Sequence, residues 1–381
     1  MAENSPVAES PGLEHSVPFF WPLAPWAELG EEAAKTFNRS LDFAKEAERE
    51  EFDLKPVWTT RNEILYDLNT MQLRDFSDAA LRGDSKIVPT VIDAPYAGHH
   101  ATIADYAKGQ SLVETLQSNG IRRVLCMDWK SATEQMKDYN IDIYLAEINA
   151  IVDDLGGLIN LIGLCQGGWM AAMFAARYPH KVATLVAAGA PLDCDAGEGF
   201  VKKIAKEQPM SFFEDLVAAG GGLMRGKFML AGWKSMHPEE QYFKTYLDLY
   251  ENVEDPAFVK KREDFERWYQ HPLDLPGVWY LQAIKLLFKD NQLCKGTFVA
   301  LGHRIALSDI ICPTFLLAGE SDDITPAPQV FAAEEKLGAP KGKIAKKLVP
   351  GGHIGLFMGS KTLKNFWPEI AGWIKRECPD A

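Results

Sequence analysis

The stretch Gly163-Leu164-Cys165-Gln166-Gly167-Gly168 constrains this chain more than any other. An apolar run (Leu158, Ile159, Leu161, Ile162) leads into it, and a helix-like run from Trp169 to Tyr178 leads out. Strand, glycine-flanked turn and helix, with a nucleophile-type residue at the apex, describe a nucleophile elbow. Such a turn strains its apex residue and brings the strand and helix backbones close together. Gly163 and Gly167 suit that approach because they lack a Cβ. A helix starting near Gln166 aims free N–H groups and its positive end at the apex, which favours a thiolate at Cys165. The Gln166 backbone N–H is then a candidate donor to an oxyanion. Serine is the usual apex residue. Cysteine in its place moves the expected chemistry from ordinary ester hydrolysis towards thioester-linked acyl transfer. The plainer alternative is a buried free cysteine in a Gly-rich turn.

The chain has 381 residues, 47% of them hydrophobic, which is enough for one large core with an inserted cap. A formal net charge of −13 argues against nucleic acid as a partner, because phosphate binding needs a basic surface. The cysteines are scattered without a CxxC pair, so neither a zinc site nor a disulfide framework is expected, and a reducing compartment fits. Met1 to Pro11 is polar and acidic, unlike a signal peptide, and no apolar stretch is long enough for a transmembrane segment. The expectation is a soluble, cytoplasmic protein.

Short apolar runs alternate with amphipathic segments: Ile87 to Ala94, Arg123 to Met127, Leu158 to Leu164 and Val182 to Ala188 as strands, with Ile103 to Gln117 and Ile141 to Asp154 as helices. That alternation predicts an α/β fold with a mostly parallel sheet and helices on both faces. It breaks near Asp193. Residues 195–300 are rich in aromatics and methionine, including Phe212, Trp233, Tyr242, Phe243, Trp268 and Trp279, and read as an inserted helical cap without clear strands. The expected divisions are a disordered or helical N-terminal extension over 1–80, the first part of the core over 81–194, the cap over 195–300, and the rest of the core over 301–381. Within the extension, 51–80 contains a short strand-like region, and Phe19, Phe20, Trp21 and Trp26 are expected to dock on the core or form an interaction patch.

A cysteine nucleophile needs a base, and the base needs an orienting acid. Both follow in the order nucleophile, acid, histidine. The strand Thr314 to Ala318 runs into Gly319-Glu320-Ser321-Asp322-Asp323, and a later Gly-rich loop carries Pro350-Gly351-Gly352-His353. Loops at the carboxyl ends of strands are where such sheets place ligand-facing groups. We assign Cys165 as nucleophile, His353 as base and Asp322 as orienter, with Asp323 as the alternative acid. A second oxyanion donor is expected from the backbone of Tyr96 or Ala97, in the loop after an earlier strand. His99 and His100 are candidate substrate contacts. They lack carboxylate or cysteine companions at ligand spacing, so no metal site is expected. Lys341, Lys343, Lys346 and Lys347 form a basic cluster, read as a solvated run or as a phosphate contact.

At this point the residues resemble the polyhydroxyalkanoate synthases and the intracellular polyhydroxybutyrate depolymerases, which are α/β-hydrolase-fold enzymes with a catalytic cysteine. The Gly163–Gly168 box, Ala176-Arg177-Tyr178-Pro179, Ala190-Pro191-Leu192-Asp193, Asp309-Ile310-Ile311-Cys312-Pro313 and Pro350-Gly351-Gly352-His353-Ile354-Gly355 look synthase-like. Gly98-His99-His100-Ala101-Thr102, Trp21-Pro22-Leu23-Ala24-Pro25-Trp26 and the Asp323 that follows the acid look more like the depolymerases. The resemblance spans roughly residues 55–375.

It implies a synthase-like acyltransferase that polymerises 3-hydroxyacyl-coenzyme A through a cysteine thioester. The alternatives are a depolymerase using the same triad and a granule-associated binding protein without catalysis. No bound cofactor is implied, and coenzyme A acts as leaving group or acceptor. Acyl-coenzyme A and polyester are the implied partners, with a second subunit or a homodimer expected, and the polyester granule surface is an implied site of residence.

Overall fold

The computed structural model describes residues 55–236 and 256–381. The expected extension up to residue 54, with Phe19, Phe20, Trp21 and Trp26, lies outside the described residues, as do Tyr242 and Phe243.

Eight strands form one sheet: β1 (Glu63–Asp67), β2 (Met71–Asp75), β3 (Thr90–Asp93), β4 (Val124–Trp129), β5 (Ile159–Leu164), β6 (Val182–Ala188), β7 (Thr314–Gly319) and β8 (Ile344–Val349). Their spatial order is β1-β2-β4-β3-β5-β6-β7-β8. From β4 to β8 all neighbours run parallel, while β1 and β2 add an antiparallel edge. Strands β3, β4, β5 and β7 are buried at every residue, as parallel strands covered on both faces must be. This is the mostly parallel α/β architecture read from the sequence.

The sheet begins earlier than expected. β1 and β2 belong to the core, not to an extension ending at residue 80. The cause is a period of two in Met71-Gln72-Leu73-Arg74, which turns Met71 and Leu73 fully inward opposite Trp129 and Met127.

The helix expected over 103–117 is also shorter. Helix α1 (Leu112–Ser118) starts only at Leu112, where the Ser111 hydroxyl accepts the Glu114 N–H at 2.9 Å. Before it, Asp105–Ala107 and Gln110–Ser111 form a small hairpin whose turn uses Gly109 at φ +77°.

Helix α2 (Ile141–Asp154) precedes β5, and α3 (Gln166–Arg177) follows it. Every residue of α3 from Gln166 to Ala176 is buried. Small residues at 167, 168, 171, 172, 175 and 176 let the helix lie tightly against the sheet.

Between β6 and β7 the chain forms α4 (Phe200–Glu207), α5 (Met210–Ala219), α6 (Gly226–Met236), α7 (Pro256–Tyr269), α8 (Gly277–Gln282) and a π-helix over Ala283–Lys289. The expectation of no strands here needs a small correction. Leu223–Met224 pairs with Leu275–Pro276, and Phe298–Ala300 pairs with His303–Ile305. Gly277 permits the first of these closures, because a Cβ there would stand 2.4 Å from the Gly222 carbonyl oxygen. The C-terminal α9 (Trp367–Glu377) packs on the other face of the sheet.

Candidate active site

Cys165 sits at the apex between β5 and α3 with φ +52° and ψ −116°, a conformation that non-glycine residues avoid. Three glycines make the turn possible. A Cβ on Gly163 would come within 2.5 Å of the Gly168 Cα. One on Gly167 would lie 2.2 Å from the Asp93 carbonyl oxygen, and one on Gly168 would lie 2.3 Å from the Ala190 Cβ. The double glycine is therefore a packing requirement: the second one makes room for Ala190 in the loop after β6.

His353, on the loop after β8, is buried. Its Nδ1 lies 2.7 Å from Oδ2 of Asp322, on the loop after β7. The other carboxylate oxygen of Asp322 accepts the Thr325 N–H at 2.8 Å and the Ile324 N–H at 3.1 Å. Asp323 is exposed and contributes its backbone carbonyl to Phe200 N–H, so Asp322 is the partner of the histidine. Nε2 of His353 is buried, and the Cys165 sulfur is adjacent to the ring. Burial alone would lower this imidazole's pKa, but the adjacent Cys165 sulfur and then the Asp322 carboxylate raise it well above its ordinary value. Gly189 leaves room for the ring, since a Cβ there would be 3.2 Å from His353 Cε1.

The two candidates for the second oxyanion donor differ in their bonding. The Tyr96 N–H donates to the Gln166 side-chain oxygen, which ties the loop after β3 to the elbow helix. That bond occupies the Tyr96 N–H, while the Ala97 N–H has no hydrogen bond among the described residues. Gln166 opens α3, where an N–H has no carbonyl one turn back to meet. Cys165, Gln166, Tyr96 and Ala97 all line one cleft of about 600 Å³, part of it open to solvent. Its remaining wall is largely aromatic and aliphatic, with Trp169, Trp279, Tyr280, Ile284 and Phe288 prominent. A pocket of this kind, apolar with a few convergent polar groups, suits an acyl chain.

His99 and His100 are not brought to this cleft. His99 stacks on Trp268 and Tyr269 with centroids 4.7 and 4.9 Å away. His100 accepts the Thr102 N–H on Nδ1 and places Nε2 3.5 Å from Asp128. The basic cluster is likewise committed elsewhere. Lys343 and Lys347 meet Glu377 and Glu369 at 2.6 and 2.9 Å, Lys341 lies 3.8 Å from Glu335, and Lys346 pairs with Glu334. No cluster of potential metal ligands occurs among the described residues. Nor, among them, is any helix long and apolar enough to cross a membrane.

Sequence reasoning gave no site role to Gly189, Ala190 or the cleft wall. Ala190 stood only in a motif of the resemblance, and the aromatic Trp279-Tyr280 pair of the wall looked like ordinary packing.

A family model described as "Protein of unknown function (DUF3141)" matches residues 60–370, and the chain belongs to that family. Among curated proteins it is similar to the poly(3-hydroxyalkanoate) polymerase subunit PhaC of Haloferax mediterranei, with 28% identity over 90% of this chain and 69% of that protein. The corresponding subunit of Allochromatium vinosum is 26% identical over 76% of this chain and 79% of that one. Among solved structures, a monoacylglycerol lipase of Paleococcus ferrophilus matches with a TM-score of 0.50 and 16% identity, over 81% of this chain and 99% of its own. A thermophilic esterase from Thermogutta terrifontis matches with a TM-score of 0.50 and 17% identity, over 84% and 99%. These neighbours identify the fold as that of the α/β hydrolases.

Proposed function

We propose that this member of the DUF3141 family is a polyhydroxyalkanoate synthase-like acyltransferase that works through a thioester on Cys165. The carrying observation is a cysteine at a strained elbow, beside a buried His353–Asp322 pair, opening into an apolar cleft. The similarity to PhaC subunits along most of the chain supports polymer synthesis as the direction of transfer.

In this reading Nε2 of His353 takes the proton from the Cys165 thiol, and Asp322 stabilises the resulting imidazolium. The thiolate adds to the thioester carbonyl of a 3-hydroxyacyl-coenzyme A. The tetrahedral oxyanion is met by the backbone N–H groups of Gln166 and Ala97. The carbon–sulfur bond to coenzyme A breaks, and His353 returns its proton to that departing sulfur. The acyl group remains on Cys165. His353 next removes the proton from a 3-hydroxyl group, whose oxygen attacks the acyl-cysteine. An ester forms, and the Cys165 sulfur leaves with the proton held on His353. Exchange between thioesters is close to isoenergetic, which favours cysteine over serine for the first transfer. The more stable ester then draws the reaction forward.

The test is incubation of the purified protein with 3-hydroxybutyryl-coenzyme A, with Cys165→Ala as control. The proposal expects coenzyme A release with insoluble polyester accumulating. Failure to release coenzyme A, together with soluble product from native polyester granules, would reverse the direction and make the protein a depolymerase. A Cys165→Ala variant that keeps full activity would remove the triad from the account.

A further inference from the structure

Asp93 ends β3 and is fully buried. It stands opposite Gly163 in the β3–β5 register, one strand away from the elbow. Its carboxyl packs against the first turn of α3: a Cβ on Gly167 would meet Oδ1 at 2.9 Å as well as the backbone carbonyl. The residues that follow, Ala94 to Ala97, form the loop that carries the second oxyanion donor. Asp93 therefore occupies the joint between the two halves of the oxyanion site.

Neither carboxyl oxygen of Asp93 has a hydrogen-bond partner among the described residues. The indole N–H of neighbouring Trp129 donates to the Ala94 carbonyl at 2.8 Å and also lies near enough to the Asp93 carboxyl to act on it. Among the described residues no cation forms an ion pair with it, and Arg74, which acts on neighbouring Cys126, is bonded to Asp128. Cys126 and Asp128 stand on β4, and Cys165 stands at the elbow. An ionised carboxylate buried without a cation is so unfavourable that the group takes up a proton instead. Burial holds this carboxyl well above the usual range, with the Trp129 indole opposing only in part.

We propose that Asp93 is a positioning residue carried as an uncharged carboxylic acid, filling the space under the first turn of α3 while leaving that helix's positive end to the Cys165 sulfur and the oxyanion. A helix N-terminus offers roughly half a positive charge. A carboxylate pressed on the same turn would cancel that field and oppose a thiolate beside it. The inference rests on the reading of Cys165 as the nucleophile, but its test needs no polyester substrate.

The first measurement is the infrared difference spectrum between the full-length protein and Asp93→Asn at neutral pH. A protonated carboxylic acid carbonyl band is expected in the wild type and absent from the variant. The second is the alkylation rate of Cys165 by iodoacetamide, resolved by peptide mass spectrometry. Asp93→Ala, which empties the space under the turn, is expected to slow alkylation about tenfold. Asp93→Asn, uncharged and of similar shape, is expected to restore it to within about twofold of the wild type. A wild type lacking the band overturns the proposal. So does an Asp93→Asn variant alkylated about tenfold faster than wild type, since that would mean Asp93 is normally ionised. So does an Asp93→Ala variant as reactive as the wild type. If the band and rates behave as expected while the protein fails to release coenzyme A, the proposed function fails and the role of Asp93 stands.

Discussion

Nδ1 of His353 and Oδ2 of Asp322 lie 2.7 Å apart, and the second oxygen of that carboxylate is anchored by the N–H groups of Ile324 and Thr325. The acid is thus fixed by the backbone of its own loop, and the histidine is oriented by the acid. Asp322→Asn keeps the shape but removes the charge that supports the imidazolium. We predict a fall in kcat of about a thousandfold or more, with the fold intact by circular dichroism. A loss below tenfold would show that Asp322 does not support the base.

The elbow depends on the absence of a side chain at residue 168. Gly168→Ala would push a methyl group into Ala190, whose Cβ lies 2.3 Å from the site of the new one. The expected destabilisation is about 1–3 kcal/mol in urea unfolding, together with lower acyl transfer. Gly168→Ala combined with Ala190→Gly should recover most of both losses, because the second change returns the volume. Simple additivity of the two variants would contradict the contact.

In the proposed mechanism Gln166 acts with its side chain as well as its backbone. Its Oε1 holds the Tyr96 N–H and so fixes the loop that presents Ala97. Gln166→Leu should lower kcat by roughly tenfold or more while changing KM less, because the backbone donor at 166 remains. An unchanged kcat would separate the Tyr96 loop from catalysis.

Asp193, two residues after the pocket-lining Pro191, joins Asn291, between β6 and β7, to Lys336, between β7 and β8. Burial works against its charge, but Lys336 at 2.8 Å and Asn291 at 2.7 Å outweigh that and hold the carboxyl at about 2. A depressed folded value stabilises the protein above the unfolded carboxylate pKa of about 3.9, and the effect is lost as pH falls towards 2. Asp193→Asn should cost about 1 kcal/mol at pH 7 after discounting for solvent screening, with the difference closing below pH 3. A deficit that stays constant down to pH 2 would locate the effect in packing.

The sheet core and the candidate residues Cys165, Asp322 and His353 are legible in the sequence because each carries a local signal. Apolar runs mark the buried strands, and Cys165, Asp322 and His353 each follow a strand in the order this fold uses. The choice between Asp322 and Asp323 needs coordinates, since two adjacent carboxylates look alike until one is seen to face the ring. Tyr96 reads as an open donor in the sequence because its partner is a side chain on α3, distant along the chain. His99 reads as a substrate contact for a similar reason: its stacking partners, Trp268 and Tyr269, lie far away in the cap. β1 and β2 read as part of an extension because the alternation in β2 is short and β1 has none, its Ile64-Leu65-Tyr66 run lying largely exposed.

The central claim is that an acyl group passes through Cys165. It is tested most directly by rapid quenching of the protein with 3-hydroxybutyryl-coenzyme A, followed by peptide mass spectrometry. The account predicts a 3-hydroxybutyryl thioester on the peptide containing Cys165, removed by hydroxylamine and absent from Cys165→Ala. Coenzyme A release without any adduct on that peptide, or with the acyl group on another residue, would contradict it.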